Sequence, residues 1–340
     1  MKTLKKLTSA LLAGIMLLTV AGCSNGQKGE TTLATTVAVK TKMNVAALKG
    51  PTGIGLVKLM EDNEKKTTEV DYKFDLLASP TDIVPLLTTG AADIAALPLN
   101  LAATLYNKTS GGVQLLAINT LGVLYILEQG NTIKSIADLR GKTIYASGQG
   151  ASPEYILNFV LNANGIDPKD DVKIEYKADH SELAALAASG KTVISMLPEP
   201  FVTTVLSKNP KLRIALDMTK EWEKACQKTG TSGTLAMGCI VVRTEYAKKN
   251  SKAVLSFLKG YMNSVDFVNN NIPAAAALVT KQGIIPSAFL AEKAIPTCNI
   301  TFIIGRDMKS IAKQNFNVLF KANPSSIGGA EPKDDFYYGA

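Results

Sequence analysis

The chain is short of the side chains that most often carry catalysis. Its 340 residues hold one histidine, four cysteines and one tryptophan. A single imidazole leaves little for histidine-based acid–base work or for activating a nucleophile. The cysteines, Cys23, Cys226, Cys239 and Cys298, have no metal-ligand spacing, so no zinc site is expected. A 226–239 or 239–298 disulfide and plain buried thiols are both compatible with the spacing. There is no G-x-S-x-G elbow, and no carboxylate pair stands out, so no catalytic residue is assigned. Nucleotide motifs fail as well. Gly50, Gly53 and Gly55 read G-x-x-G-x-G and are followed by Leu56 and Val57, which fits neither a Walker A loop nor the dinucleotide fingerprint. A formal net charge of +8 is mild for this length, and no basic cluster interleaves with aromatics, so nucleic acid is not an expected partner. No cofactor is expected either.

One long apolar run is present. Residues 7–20 follow Lys2, Lys5 and Lys6 and are too short for a comfortable membrane span. No other segment reads as transmembrane. The run ends in Val20-Ala21-Gly22-Cys23, which resembles the lipobox of bacterial lipoproteins. That resemblance implies removal of residues 1–22, a lipid on Cys23, and anchoring at the extracytoplasmic face of the cell membrane. An ordinary secretory signal with a chance cysteine is the alternative. Cleavage removes three lysines and no acid, taking the formal charge from +8 to +5. Residues 23–39 are small and polar, with Gly26 and Gly29, and read as a flexible tether.

From Met43 onward, β-rich runs alternate with helical ones. Strands are predicted at 43–48, 72–77, 93–97, 113–119, 121–127, 143–146, 172–176, 193–196, 212–216 and 236–242, and 300–304 is apolar. Helices are predicted at 52–65, 79–87, 98–106, 155–162, 181–188, 201–206, 250–269, 273–281, 287–294 and 307–320, with a short one within 135–142. Residues 217–233 read as polar and hold Trp222, which either packs under a lobe or lines a cleft. Such alternation argues for mainly parallel α/β sheets, and a chain of this size in that class divides into two lobes.

The organising stretch is 45–60: an apolar strand, a turn with three glycines, and a helix whose stripe is Ile54, Val57 and Met60. Pro51 suits a first helical turn, Thr52 is a candidate cap, and Gly53 lets a ligand approach the backbone. The pattern recurs at Gly148-Gln149-Gly150-Ala151-Ser152-Pro153-Glu154. Two strand–proline–helix junctions also echo each other, Leu97-Pro98-Leu99-Asn100 and Leu197-Pro198-Glu199-Pro200. All four lie at C-terminal strand ends, where open α/β sheets bind ligands. Candidate ligand-binding residues are therefore Pro51, Thr52, Gly53, Asn100, Gln149, Gly150, Ala151, Ser152 and Glu199. Each has a plainer role available: helix capping for Thr52, Asn100 and the 149–152 turn, and loop fixing for Glu199. His180 reads as part of a solvated helix start. Residues 120–127 and 234–242 are hinge candidates.

These pieces, with Leu139-Arg140-Gly141-Lys142 and the tail Ser326-Ile327-Gly328-Gly329 with Asp335-Phe336-Tyr337-Tyr338, resemble the substrate-binding lipoproteins of ABC importers. The likeness is to the nitrate/sulfonate/taurine branch, which includes thiamine-pyrimidine binders, of the type II periplasmic-binding-protein fold. It implies an α/β chain of two lobes, each a mainly parallel sheet flanked by helices, joined by two crossover strands. Lobe one would be 40–120 plus 240–330, lobe two 121–239, and 331–340 a tail. It also implies a receptor that takes its ligand between the lobes and hands it to a membrane permease and its ATPase. The family's ligands differ widely, and the expectation here is a small polar organic molecule or oxyanion, with a monomer as the default. The pyrimidine-making enzymes of the same fold carry a cysteine-rich motif that is missing here. The rival readings are a metabolite-processing lyase or synthase, against which the lipobox argues, and the sensing component of a receptor.

Overall fold

A computed structural model describes residues 40–340. The expected signal segment 1–22, the lipidation site Cys23 and the tether to residue 39 lie outside the described residues. The first part of the described chain runs β1 (Lys42–Leu48), α1 (Pro51–Ile54), α2 (Val57–Glu64), β2 (Asp71–Leu77), α3 (Pro80–Thr89), β3 (Ile94–Pro98), α4 (Leu99–Lys108) and β4 (Val113–Leu121). The middle part is β5 (Leu124–Gln129), β6 (Thr143–Ser147), α5 (Ser152–Ala163), β7 (Lys173–Lys177), α6 (His180–Ala188), β8 (Ile194–Pro198), α7 (Phe201–Lys208), β9 (Leu212–Asp217) and α8 (Met218–Lys228). The chain then returns through β10 (Ala236–Arg243), α9 (Thr244–Lys249), α10 (Ser251–Asn270), α11 (Ile272–Lys281), α12 (Ala288–Ala294), β11 (Ile300–Ile303) and α13 (Gly305–Ala322).

Among the described residues these strands form two sheets, ordered β11-β4-β10-β3-β1-β2 and β7-β6-β8-β5-β9. Most strands of each sheet run one way, but a reversed strand sits inside each sheet. β10 is antiparallel to both β3 and β4, and β5 is antiparallel to both β8 and β9. The edge strand β11 of the first sheet is reversed as well, antiparallel to β4. Both inner reversed strands lie next to a crossing between the sheets: β5 follows β4 after two residues, and β10 brings the chain back. The sheets are thus mixed at their centres and parallel at β1–β2, β1–β3, β6–β7 and β6–β8.

Apolar packing follows the same plan. One cluster runs from the first sheet (Leu97, Ile118) to the second (Ile144, Leu157, Trp222). Separate clusters cover the other face of each sheet, with Val45, Phe257 and Tyr261 on the first and Leu127, Leu183 and Val202 on the second. The tail packs as well: Phe336 and Tyr337 are buried, and the Tyr338 N–H donates to the Leu115 carbonyl at 3.0 Å. Cys226, Cys239 and Cys298 are buried free thiols.

Two elements differ from the sequence reading. The helix expected over 52–65 is split into α1 and α2 around Gly55 and Leu56. A Cβ on Gly55 would lie 2.5 Å from the Tyr261 hydroxyl, so a residue of the distant helix α10 occupies the space where a side chain would stand. The polar stretch around Trp222, to which the sequence assigned no element, holds α8. Its buried stripe of Met218, Trp222, Ala225 and Cys226 follows helical spacing that the surrounding lysines and glutamates obscured. Trp222 is fully buried, 4.9 Å from Phe159 between ring centres, and its indole N–H donates to the Gly233 carbonyl at 3.1 Å. It is core and takes no part in a cleft.

Candidate functional site

A cavity of about 80 Å³ lies where the strand ends of the two sheets meet. The first sheet contributes Leu48 to Thr52 after β1, Ala78 and Pro80 after β2, and Pro98 at the end of β3. The second sheet contributes Gly148 and Ala151 to Pro153 after β6, His180 after β7, and Pro198, Glu199 and Phe201 around the end of β8. Thr120, Val123, Met237 and Gly238, which lie in or beside the two crossings, complete the wall. The space exceeds the roughly 10–15 Å³ that a single water needs.

Of the residues singled out from the sequence, Pro51, Thr52, Ala151, Ser152 and Glu199 line this cavity. Pro51 is the first residue of α1. Thr52 does not cap that helix: Gly50 holds the capping position, and the Thr52 hydroxyl donates to the Leu48 carbonyl at 3.3 Å. Gly53 turns toward β1 and not toward the cavity, because a Cβ there would sit 2.5 Å from the Leu48 carbonyl oxygen. The backbone N–H groups of Thr52 and Ser152 belong to the first turns of α1 and α5. Such groups have no acceptor within their own helices.

Asn100 is not part of the cavity wall. It is the second residue of α4 and is 1% exposed. Its side-chain amide donates to the Ser326 carbonyl at 3.1 Å and to the Gly150 carbonyl at 3.5 Å, and its Oδ1 accepts from the Ser152 hydroxyl at 3.0 Å. This residue ties the first sheet's α4 to the second sheet's α5. Gln149 and Gly150 face an adjoining groove instead of the cavity.

Glu199 is 3% exposed. Its carboxylate accepts from the Thr203 N–H at 3.1 Å and from the Thr203 hydroxyl at 3.0 Å. Burial raises its pKa, and the Thr203 and Thr297 groups counter that rise only in part. Lys49, at the cavity rim, is the lining lysine, and it is exposed.

His180 is the residue that sequence reasoning missed. It opens α6, whose cap is the Asp179 carboxylate accepting from Glu182 N–H at 2.8 Å. Its ring packs 5.6 Å from Phe201, and its Nδ1 is 2.6 Å from the Ser147 hydroxyl. Desolvation by these neighbours pushes its pKa down to about 4, so the imidazole is neutral near pH 7. The available signal was position, since His180 follows a strand end like every other lining segment. Its polar neighbours in the sequence pointed to solvent.

A family model described as ABC transporter, phosphonate, periplasmic substrate-binding protein matches residues 57–287. The Bacillus subtilis (strain 168) protein YtlA is 26% identical over 133 residues, which is 39% of this chain and 36% of YtlA, so the match spans about a third of that relative's length. An ABC transporter structure from Parabacteroides distasonis superposes with a TM-score of 0.71 at 22% identity, over 88% of this chain and 99% of that one. The periplasmic aliphatic sulphonate binding protein SsuA of Escherichia coli superposes with a TM-score of 0.67 at 17% identity, over 87% and 94%. At these identities the structural likeness is one of fold, two α/β lobes of the type II periplasmic-binding-protein kind.

Proposed function

Because the chain belongs to the periplasmic substrate-binding proteins of ABC transporters, in the family described for phosphonate, we propose that its inter-sheet cavity is the solute site. The solute is a small polar organic molecule or oxyanion, delivered to a membrane permease and its ATPase. The observation that carries this reading is the cavity itself: strand ends of both sheets enclose it, with Thr52, Ser152 and Glu199 among its polar wall. Pro51 and Ala151 shape that wall. Gly53 supports the turn behind it, and Asn100 holds the two sides together. Gln149 and Gly150 edge the groove outside.

We assign 40–120 plus 240–330 to one lobe and 121–239 to the other, with 331–340 as a tail on the first. The division of strands between the two sheets supports this assignment. Closure by a hinge at the crossings would shield the polar groups from water, so binding needs no covalent step and the protein is not an enzyme. In this reading the mature chain is a monomer held to the extracytoplasmic membrane face by lipid on Cys23, and Val20-Ala21-Gly22-Cys23 supports it.

Isothermal titration of the mature protein against alkylphosphonates, alkylsulfonates, nitrate, aromatic carboxylates and pyrimidines tests the reading. One class is expected to saturate at one site per chain, with Ser152→Trp abolishing the signal. Turnover of any compound, or binding that ignores Ser152→Trp, would count against it.

A further inference from the structure

Ala78, Pro80, Gly148, Ala151 and His180 line both the 80 Å³ cavity and a neighbouring groove of about 370 Å³. The two spaces therefore share part of their wall, and His180 belongs to that shared wall. The groove continues between the start of α3 and the β7–α6 turn. Its polar groups differ from those inside. Gln149 offers an exposed amide, and Ser79 and Thr81 offer hydroxyls 2.7 Å apart. The Tyr176 hydroxyl is shielded from solvent yet has no hydrogen-bond partner among the described residues. A buried hydroxyl without a partner is unfavourable, and a ligand group can complete it.

The charges around the groove are already engaged. Lys177 lies 3.6 Å from Glu175 and over the Tyr145 ring, and Asp179 caps α6. Beside these two charges, each of which already faces a protein group, the groove presents mainly neutral hydrogen-bonding groups. At the shared wall, the Ser147 hydroxyl occupies Nδ1 of His180, which leaves Nε2 as the ring nitrogen available to a ligand.

Resting on the receptor reading above, we propose that the solute site has two subsites meeting at His180, and that its ligand is an elongated molecule. A compact polar head fills the inner cavity, and an uncharged hydrogen-bonding tail lies in the groove toward Gln149 and Tyr176. His180 contacts the ligand at the point where head and tail join and selects for the tail. A bare oxyanion such as nitrate would fill only the inner part.

The test is calorimetry on the mature protein with paired probes sharing one head: methylphosphonate against 5-hydroxypentylphosphonate, methanesulfonate against 5-hydroxypentanesulfonate, and acetate against 6-hydroxyhexanoate. In at least one pair the extended member is expected to bind about tenfold tighter or more. His180→Ala should weaken the extended member more than the short one, so that the increment within the pair is lost. Gln149→Ala, at an exposed position with no side-chain hydrogen bond among the described residues, should erase part of it. Equal affinity within every pair, equal loss for both members in His180→Ala, or no binding by any probe overturns the two-subsite proposal. The receptor reading fails separately, through binding that survives Ser152→Trp.

Discussion

The junctions after β3 and after β8 look alike in sequence and do different work. Each is a strand ending in Leu-Pro, followed by a polar residue at the start of a helix. In the first, Asn100 has its amide and carbonyl engaged by Ser326, Gly150 and Ser152. In the second, the Glu199 carboxylate receives Thr203, with the Thr297 hydroxyl nearby, and keeps accepting capacity beside the cavity. A polar side chain whose partners are all protein is a structural tie. One whose partners are incomplete at a cavity wall is a candidate ligand contact. Partner supply, and not residue type or spacing, separates the two.

That contrast can be broken or sharpened by measurement. Asn100→Ala should have the largest effect, since it leaves the Ser152 hydroxyl without its acceptor and the Ser326 carbonyl with only a long 3.5 Å bond from the Thr104 hydroxyl. We expect a loss of about 2–3 kcal/mol in urea unfolding. An unchanged midpoint would deny Asn100 its role as a tie.

Acidification comes next. His180 has an ordinary pKa of 6.5, pushed down to about 4 in the folded chain. The unfolded chain therefore takes up a proton between those values that the folded chain refuses, and stability falls as pH drops through that window. The expected loss is about 1 kcal/mol, discounted because the ring edge reaches the cavity. His180→Gln should flatten the slope. Glu199, raised by burial, acts in the opposite direction, so Glu199→Gln should steepen the acid loss.

Ser152→Ala removes one bond of the Asn100 tie and should cost about 1 kcal/mol. Near neutral pH, Glu199→Gln keeps an acceptor for Thr203 and should change stability by less than about 0.5 kcal/mol while weakening ligand binding at least several-fold. If unfolding and binding changed together, the two junctions would be alike after all. Thr52→Ala should be smallest in stability, a few tenths of a kcal/mol at most, because its hydroxyl bond to Leu48 is long at 3.3 Å.

Much of the fold was legible because its signals are local. Ser79 caps α3, and Gly90 ends it in the left-handed conformation. Ser287 caps α12, and the β-rich runs became strands. What was missed depended on distant partners. Tyr261 leaves no room for a side chain at Gly55, where α1 ends, and Asn100 is claimed by Ser326, 226 residues away. His180 is drawn against Ser147 and Phe201 and is only partly exposed.

The sequence by itself determined the alternation of strands and helices, the strand-end positions where a ligand is to be sought, and the poverty of catalytic side chains. Periodicity, capping and composition act over a few residues, so they can be read along the chain. Only the tertiary structure decided which of the polar strand-end residues face empty space. That depends on whether partners hundreds of residues away arrive to satisfy them, and a buried polar group is stable only with such partners. Asn100 found its partners within the protein, and Glu199 and His180 keep capacity for a ligand.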